Sequence, residues 1–284
     1  MEQKVKLGEK IVIYIILTLV LFITVLPIIY TISGAFKTNS EILAHPERLF
    51  PEKPTFDNFI QAWNSNNFNI KQMTWNSTYY TLICVAITLI TASMGGYVFA
   101  RGDFYGKKFI FTVFTSLMFI ALGGITIYPT FEVLNFIGIS QSIWGLIVTK
   151  IFGVGIINIY LVKSYILTLP KSMDEAAEID GCSFIGIYFR IIAPLLKPIL
   201  ATIAILAFQG SWNEYLMPTI FTMTRPEQRT LIVGVMALKN SEAAASSWNL
   251  MLAGATVSLL PVLIAYSIAN KYFVSGLASG AVKG

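Results

Sequence analysis

The chain has 284 residues, of which 55% are hydrophobic and 12% are charged, and its mean hydropathy is +0.69. Soluble domains carry about 25% charged residues, so this composition excludes an ordinary soluble domain and indicates a membrane protein. The net charge of +5 comes from basic residues scattered between apolar runs, which argues against nucleic-acid binding, and the single histidine argues against a histidine-based metal site.

Long uncharged runs predict six transmembrane helices, because a helix needs about 20 apolar residues to cross a bilayer. Four runs each contain at least 23 uncharged residues. Two further runs, interrupted by Lys150 and by Glu214, are apolar enough to span if those charges lie near an interface or face protein. The predicted spans are Ile11–Ser33, Thr74–Ala100, Phe109–Phe131, Ile143–Leu167, Ile199–Ile220 and Leu250–Asn270.

The basic residues predict the orientation of these spans. Lys4, Lys6 and Lys10 precede the first one, a pattern also found in signal peptides, but its apolar stretch is longer than their usual 7 to 15 residues, so we expect an uncleaved anchor. With the amino terminus in the cytoplasm, 12 lysines and arginines lie on that side and seven lie outside, as the positive-inside rule requires. Both termini of this single transmembrane domain, residues 1–284, are therefore expected to be cytoplasmic.

The outer loop between the first two spans, residues 34–72, is long and polar. Its prolines and the aromatic residues Phe50, Phe56, Phe59 and Trp63 predict an ordered cap. Contact with a partner outside the membrane and simple coverage of the helix ends both remain open. The glycosylation pattern that begins at Asn76 lies at the mouth of a helix, so we interpret it as a chance match.

The loop between the fourth and fifth spans, residues 168–194, predicts a helix–turn–helix on the cytoplasmic face. Ser172 and Glu175 have the capping-box spacing that begins a helix. Gly181 is suited to the left-handed conformation that stops it. Ser183 is expected to cap a second helix, which Pro194 ends.

The second helix of this loop is predicted to be amphipathic. Small residues at Ala176 and Ala177 form a tip on the first helix that is able to enter a groove of another protein. Periodicity alone does not distinguish such a docking element from an amphipathic helix that rests on lipid. The apolar stripe of the second helix consists of Phe184, Ile187, Tyr188, Ile191 and Ile192.

The same loop carries a family resemblance. The run Glu175–Ala177, followed by Gly181, Ile191 and Pro194 at fixed spacing, resembles the EAA loop of the permeases of ATP-binding-cassette (ABC) importers. Ala193 departs from the pattern, because the family usually has leucine before the proline. This loss of apolar bulk affects local packing and leaves the assignment in place.

Two further stretches narrow the resemblance. Gly210–Pro218 is similar to the Trp-Asn-acidic signature of carbohydrate-uptake permeases, and Tyr272–Gly284 is similar to the carboxyl tail of the maltose-type second permease subunit. Together with the six spans, the resemblance covers essentially the whole chain. It implies an all-α integral membrane protein with type I ABC importer permease architecture, located in a bacterial or archaeal plasma (inner) membrane.

The resemblance also implies the partners of the chain. A type I importer pairs this subunit with a second homologous permease, two ATPase subunits bind below, and an extracellular solute-binding protein delivers a sugar. The chain has no phosphate-binding loop of the form G-x-x-x-x-G-K-[ST]. We therefore expect no cofactor and no catalytic residue in this chain, with ATP and Mg bound by the partner ATPase subunits.

The resemblance carries roles to individual residues. The loop residues that couple to the ATPase subunits are Glu175, Ala176, Ala177, Asp180 and Gly181. Within the tail, residues 271–284, Gly280 and Lys283 are expected to reach the ATPase interface. The resemblance nevertheless leaves open an importer of another solute, such as a phosphodiester or a peptide. A secondary transporter is less well supported, because six spans are few for one and it has no reason to carry an EAA loop.

The candidate substrate path lies in the fourth and fifth spans. Aromatic faces and paired polar groups recognise sugars, and an ionisable residue within a span is a functional hypothesis by default. Each of the two charges also has a purely structural interpretation. Glu214 pairs with a neighbouring helix or a backbone amide, and Lys150 extends its stem to the outer interface. The candidates are Trp212, Asn213, Glu214, Tyr215 and Lys150.

Overall fold

The computed structural model describes residues 7–65, 68–120, 123–153, 155–239 and 247–281, with the backbone alone at residues 123 and 269–281. Every regular element in these ranges is helical. In chain order the α-helices are α1 (Leu7–Gly34), α2 (Asn39–Ala44), α3 (Asp57–Asn64), α4 (Ile70–Arg101), α5 (Lys107–Leu117), α6 (Ile127–Phe136), α7 (Ile143–Phe152), α8 (Ile156–Leu167), α9 (Ser172–Ile179), α10 (Phe184–Ile187), α11 (Ala193–Leu195), α12 (Lys197–Trp212), α13 (Leu216–Phe221), α14 (Leu231–Lys239) and α15 (Trp248–Ala281).

Three of the described helices are individually long and apolar enough to cross a membrane: α1, α4 and the part of α15 from Trp248 to Ile268. They coincide with the first, second and last predicted spans. Two bent helix pairs raise the number of candidate spans in the described ranges to five, if each pair is one span. They are α7 with α8, and the run Phe184–Leu195 with α12. A continuous helix suits lipid because it satisfies its own backbone N–H and C=O groups.

The chain divides into two compact units, and the first comprises residues 1–71 and 234–260. Its buried Asn58 side chain donates hydrogen bonds of 2.7 Å to the carbonyl oxygens of Ala35 and Lys37 and accepts one from Asn249. The rings of Phe36, Phe56 and Phe59 pack together beside this network. The segment predicted as a cap is thus folded, and its most exposed aromatic side chains are Phe50, Phe56 and Trp63.

The second unit comprises residues 72–233 and 261–284 and contains two apolar clusters. One surrounds Val162 and Ile166 of α8 and includes residues of α4 and of the loop after α8. The other surrounds Tyr80 and Phe221. Asn76 is buried and donates to the carbonyl oxygens of Glu227 and Arg229, so its side chain is already engaged in the fold.

The third predicted span is not one helix. α5 ends at Leu117, a 3-10 turn occupies Gly123–Thr126, and α6 follows. After Leu117 the backbone hydrogen bonds reach back three residues instead of four, which marks an unwinding helix end. The Gly123–Gly124 pair that follows has the lowest helix propensity of any residues except proline.

The fourth and fifth predicted spans are also interrupted. The fourth has the expected outer limits, Ile143 and Leu167, but α7 and α8 meet at a bend of 42° beside Gly153 and Gly155. The fifth stops at the end of α12 and restarts as α13. Pro218 contributes to this break, because in a continuous helix its ring clashes with the carbonyl of residue 214, but α1 and α15 run unbroken through Pro27 and Pro261.

Candidate functional site

The helix–turn–helix segment, residues 168–194, has the predicted turn. α9 begins one residue after Lys171, and Gly181 has a φ of +79°, the left-handed conformation that its position predicted. The Ser183 side chain accepts a hydrogen bond from the N–H of Gly186 at 3.1 Å and caps α10, as expected. The glycine turn and the second cap are therefore confirmed.

The predicted capping box at Ser172 is wrong. Lys171 is the residue before α9 and already has helical backbone angles, and the N–H groups of Asp174 and Glu175 both donate to its carbonyl. Ser172 therefore lies inside the first turn, where its hydroxyl cannot take the capping position, which requires an extended backbone. α9 has no side-chain cap at its N-terminus.

The prediction that Pro194 ends the second helix is confirmed to within one residue. A π-turn at Tyr188–Ile192 follows α10, and α11 continues through Pro194 to Leu195. The chain then bends by 75° into α12.

Exposure divides the predicted coupling residues. Glu175, Ala176, Asp180 and Gly181 are exposed, but Ala177 is buried and belongs to the apolar cluster around α8. The prediction that both alanines form an exposed tip is therefore wrong for Ala177, which faces the protein core. In the predicted stripe Ile187, Tyr188 and Ile192 are buried, whereas the most exposed large apolar side chains of the segment are Ile179, Ile185 and Phe189.

Arg101, the last residue of α4, forms an ion pair with this segment. Arg101 Nε lies 2.5 Å from Asp174 Oδ2, and the two side chains are only 6% and 13% exposed. Arg101 Nη2 also donates to the carbonyl of Leu169 at 2.9 Å. The guanidinium therefore contacts both the chain that enters α9 and the first turn of α9.

Aromatic contacts from α4 hold the second helix. The Tyr97 hydroxyl donates to the carbonyl of Phe184 at 3.0 Å, and the two rings stack with centroids 4.5 Å apart. One turn earlier, Ser93 Oγ lies 2.8 Å from the Tyr188 hydroxyl. Sequence reasoning missed these contacts, because no pattern in the sequence links residues of α4 to the loop after α8.

A second candidate site brings together Lys150 and Glu214, which sequence reasoning proposed separately. Lys150 Nζ lies 3.1 Å from Glu214 Oε2, and the side chains are 36% and 19% exposed. The Tyr80 hydroxyl donates to the same carboxylate oxygen at 2.6 Å. The expectation that Glu214 pairs with a neighbouring helix is confirmed, whereas the Lys150 amine is held by this carboxylate. Tyr80 was missed, because a tyrosine within an apolar run resembles ordinary core.

The break between α12 and α13 positions Glu214. Asn213 directly follows α12 and is exposed, whereas Trp212 is buried and stacks on Phe208 with ring centroids 5.8 Å apart. Tyr215 precedes α13 and is half-buried. Of the four predicted residues in this stretch, Trp212 is thus a packing residue and Glu214 is the member of the polar cluster.

A cavity of about 220 Å³ adjoins this cluster. Because the Lys150 ammonium is balanced by the Glu214 carboxylate, the cavity offers hydroxyl and amide groups beside a nearly neutral ion pair. Such a lining suits an uncharged polar ligand that is held by hydrogen bonds. The lining residues are Thr88, Thr91, Thr149, Lys150, Gly153, Gly155 and Asn158.

Two other expectations concern the tail and metal binding. α15 continues as a helix to Ala281, so Gly280 lies within it, whereas Lys283 lies outside the described residues. In the described part of the chain, no group of three or more His, Cys, Asp and Glu residues is arranged to hold a metal ion.

Known proteins resemble the chain along almost its whole length. Residues 10–279 match the family of binding-protein-dependent transport system inner membrane components. The galactooligosaccharides transport system permease protein GanQ of Bacillus subtilis is 32% identical, with 95% of this chain and 94% of GanQ aligned. The arabinooligosaccharides transport system permease protein AraQ of the same organism is 32% identical, with 91% and 90% aligned. A chain of a bacterial ABC transporter involved in the import of the acidic polysaccharide alginate shares the fold, with a TM-score of 0.79, 23% identity, and 95% and 99% of the two chains aligned.

Proposed function

Because the chain belongs to the family of binding-protein-dependent transport system inner membrane components, we propose that it is the permease subunit of an ATP-driven importer for a sugar or oligosaccharide. The observation that carries this proposal is the similarity to two permeases named for oligosaccharide transport, along about nine-tenths or more of both chains. The same observation favours a sugar over a phosphodiester or a peptide.

The proposed importer subunit crosses the membrane six times. α12 is 16 residues long, or about 24 Å at 1.5 Å per residue, which is too short for a hydrocarbon core of about 30 Å. We therefore join α12 to α13 as one span, α7 to α8 as another, and α5 to α6 as a third. With α1, α4 and α15 we propose six spans in a plasma (inner) membrane, so both termini share one side, and the lysine and arginine bias supports the cytoplasmic side.

The chain works in this proposal with partner subunits. A second homologous permease completes the pathway, two ATPase subunits bind ATP and Mg, and an extracellular binding protein delivers the sugar. The exposed residues Glu175, Ala176, Asp180 and Gly181 contact the ATPase subunits, and Ala177 supports them from the core. The helical end of the chain, including Gly280, extends toward the same partners.

Transport follows from alternating access. ATP binds the closed form of the ATPase pair more tightly than the open form, and only such a difference in affinity shifts the equilibrium between inward- and outward-facing states. The helix–turn–helix segment carries the ATPase movement to the membrane helices. Sugar passes the cavity that Lys150 lines, where the Asn158 amide and the threonine hydroxyl oxygens, as acceptors, offer hydrogen bonds, and the exposed Asn213 contacts sugar outside this lining.

Affinity purification of the tagged chain in mild detergent tests the proposal. We expect a second permease and two ATPase copies per tagged chain, identified by mass, with ATP hydrolysis that rises when the cognate binding protein and its sugar are added. A panel of sugars, phosphodiesters and peptides identifies the solute class. If the chain purifies alone or as a homo-oligomer without ATPase, a self-sufficient carrier becomes the better hypothesis.

A further inference from the structure

The last three turns of α4 supply the hydrogen bonds and the ion pair that join this helix to the helix–turn–helix segment. We propose that Arg101 is a positioning residue for energy coupling, whose buried ion pair with Asp174 makes α9 and α4 move as one body. This inference rests on the proposed function, because it concerns the segment that contacts the ATPase subunits, and it assigns a role to residues outside the EAA pattern.

The first argument is burial. Arg101 and Asp174 are 6% and 13% exposed, so both charges have left water. Among the residues that the structure describes, neither carboxylate oxygen of Asp174 has a hydrogen-bond partner, which leaves the Arg101 charge to compensate it. Removing one member of a buried pair strands the other charge, and this cost favours movement of α9 that brings Asp174 to water.

The second argument is geometry. The Arg101 guanidinium pairs with Asp174 by charge through Nε, without a hydrogen bond, and donates a hydrogen bond to the carbonyl of Leu169 through Nη2, so it contacts separate points on the chain. A planar guanidinium binds two acceptors in a fixed relative orientation, whereas a lysine ammonium is a point charge on a flexible stem. Arg101 therefore fixes both the position and the direction of the chain entering α9.

The third argument is continuity. α4 runs unbroken from Tyr80, which bonds Glu214, to Arg101, a distance of about 32 Å at 1.5 Å per residue. Displacement of α9 is thereby carried to the hydroxyl that holds the Glu214 carboxylate. Position between two sites does not by itself demonstrate coupling, so the experiment measures coupling directly.

The experiment compares variants in the purified complex, reconstituted with the cognate binding protein. For Arg101→Met we expect the sugar transported per ATP hydrolysed to fall about tenfold, within the 5- to 150-fold range usual for coupling between sites. ATPase subunits remain bound, and amide hydrogen exchange in residues 172–179 becomes faster. Arg101→Lys recovers part of the sugar-to-ATP ratio and part of the slow exchange, because it keeps the positive charge and loses the planar guanidinium. Arg48→Met, which removes an exposed ion pair with Glu52, serves as the matched control and changes neither.

The double variant Arg101→Met with Asp174→Leu separates positioning from simple charge balance. It strands no buried charge, so it folds and assembles even where Arg101→Met does not, but we expect its sugar-to-ATP ratio to stay low. A wild-type ratio in the double variant, or unchanged exchange in residues 172–179 of Arg101→Met, overturns the inference. If the wild-type chain binds no ATPase, the proposed function fails, and the exchange measurement still decides whether Arg101 positions α9.

Discussion

Two cation–carboxylate pairs in the same unit of the chain differ in their surroundings. The Arg101–Asp174 pair is almost completely buried, at the junction of α4 and α9. The Lys150–Glu214 pair is partly exposed, beside a cavity and a helix break. The buried Arg101–Asp174 pair, here called the dry pair, holds one geometry because no water competes for its charges. The partly exposed Lys150–Glu214 pair is able to exchange partners with a ligand. The same chemistry thus suits positioning in one place and solute contact in the other.

The largest expected effect comes from breaking the dry pair. Asp174→Leu leaves the Arg101 guanidinium buried without its partner, which typically costs about 3–5 kcal/mol. We expect a marked fall in thermal stability of the purified complex, with restoration by Arg101→Met in the double variant. Thermal unfolding in detergent, followed by the fluorescence of the tryptophans, measures this difference. A wild-type midpoint for Asp174→Leu contradicts the dry character of the pair.

A substitution of Gly181, in the turn after α9, tests the same region without altering its charge. Gly181 has a φ of +79°, and no heavy atom lies within 4 Å of the point that a Cβ would occupy, so only backbone strain opposes a side chain there. Gly181→Val is expected to cost about 2 kcal/mol and to reduce transport while basal ATP hydrolysis persists. Gly181→Asn is the matched control, because asparagine tolerates the left-handed region. Equal transport by both variants contradicts the role of the turn.

A smaller effect is expected from Tyr97→Phe, which keeps the ring stacked on Phe184 and removes only the hydroxyl bond to its backbone. The loss of one such bond costs about 1 kcal/mol. We expect slightly faster amide exchange at residues 184–187 and nearly normal transport. If amide exchange at residues 184–187 is as fast in Tyr97→Phe as in Arg101→Met, the Tyr97 hydroxyl, and not the ion pair, is the main restraint on this helix.

The sequence predicted local features of these regions better than contacts between them. Gly181 and Ser183 were identified correctly, because a left-handed turn and a cap depend on a few adjacent residues. The capping box at Ser172 failed because the preceding Lys171 already adopts helical angles, which spacing alone does not reveal. The ends of the fourth span were right, since apolar content changes sharply there.

The helix breaks and the charge pairs needed more than hydropathy. A run of apolar residues looks the same whether it forms one helix or two, and proline does not separate the cases, since Pro218 follows a break whereas Pro27 and Pro261 lie inside unbroken helices. Arg101 and Asp174 are 73 positions apart in the chain, and Lys150 and Glu214 are 64 apart. One sequence holds no periodic pattern that pairs such distant residues, so both pairs emerged only from the fold.

The smallest effect on stability, and the sharpest test of the comparison, is expected from Glu214→Gln. The two side chains are 36% and 19% exposed, so the lost attraction is partly screened and the cost is about 0.5 kcal/mol. Sugar uptake nevertheless changes, because the unbalanced Lys150 ammonium now adjoins the cavity and the hydrogen bond from Tyr80 meets an amide. Uptake rate against sugar concentration measures this, with Tyr80→Phe as the variant that leaves the ion pair intact. If Glu214→Gln and Asn213→Ala both leave apparent affinity and rate unchanged, the partly exposed pair is structural and the substrate path lies elsewhere.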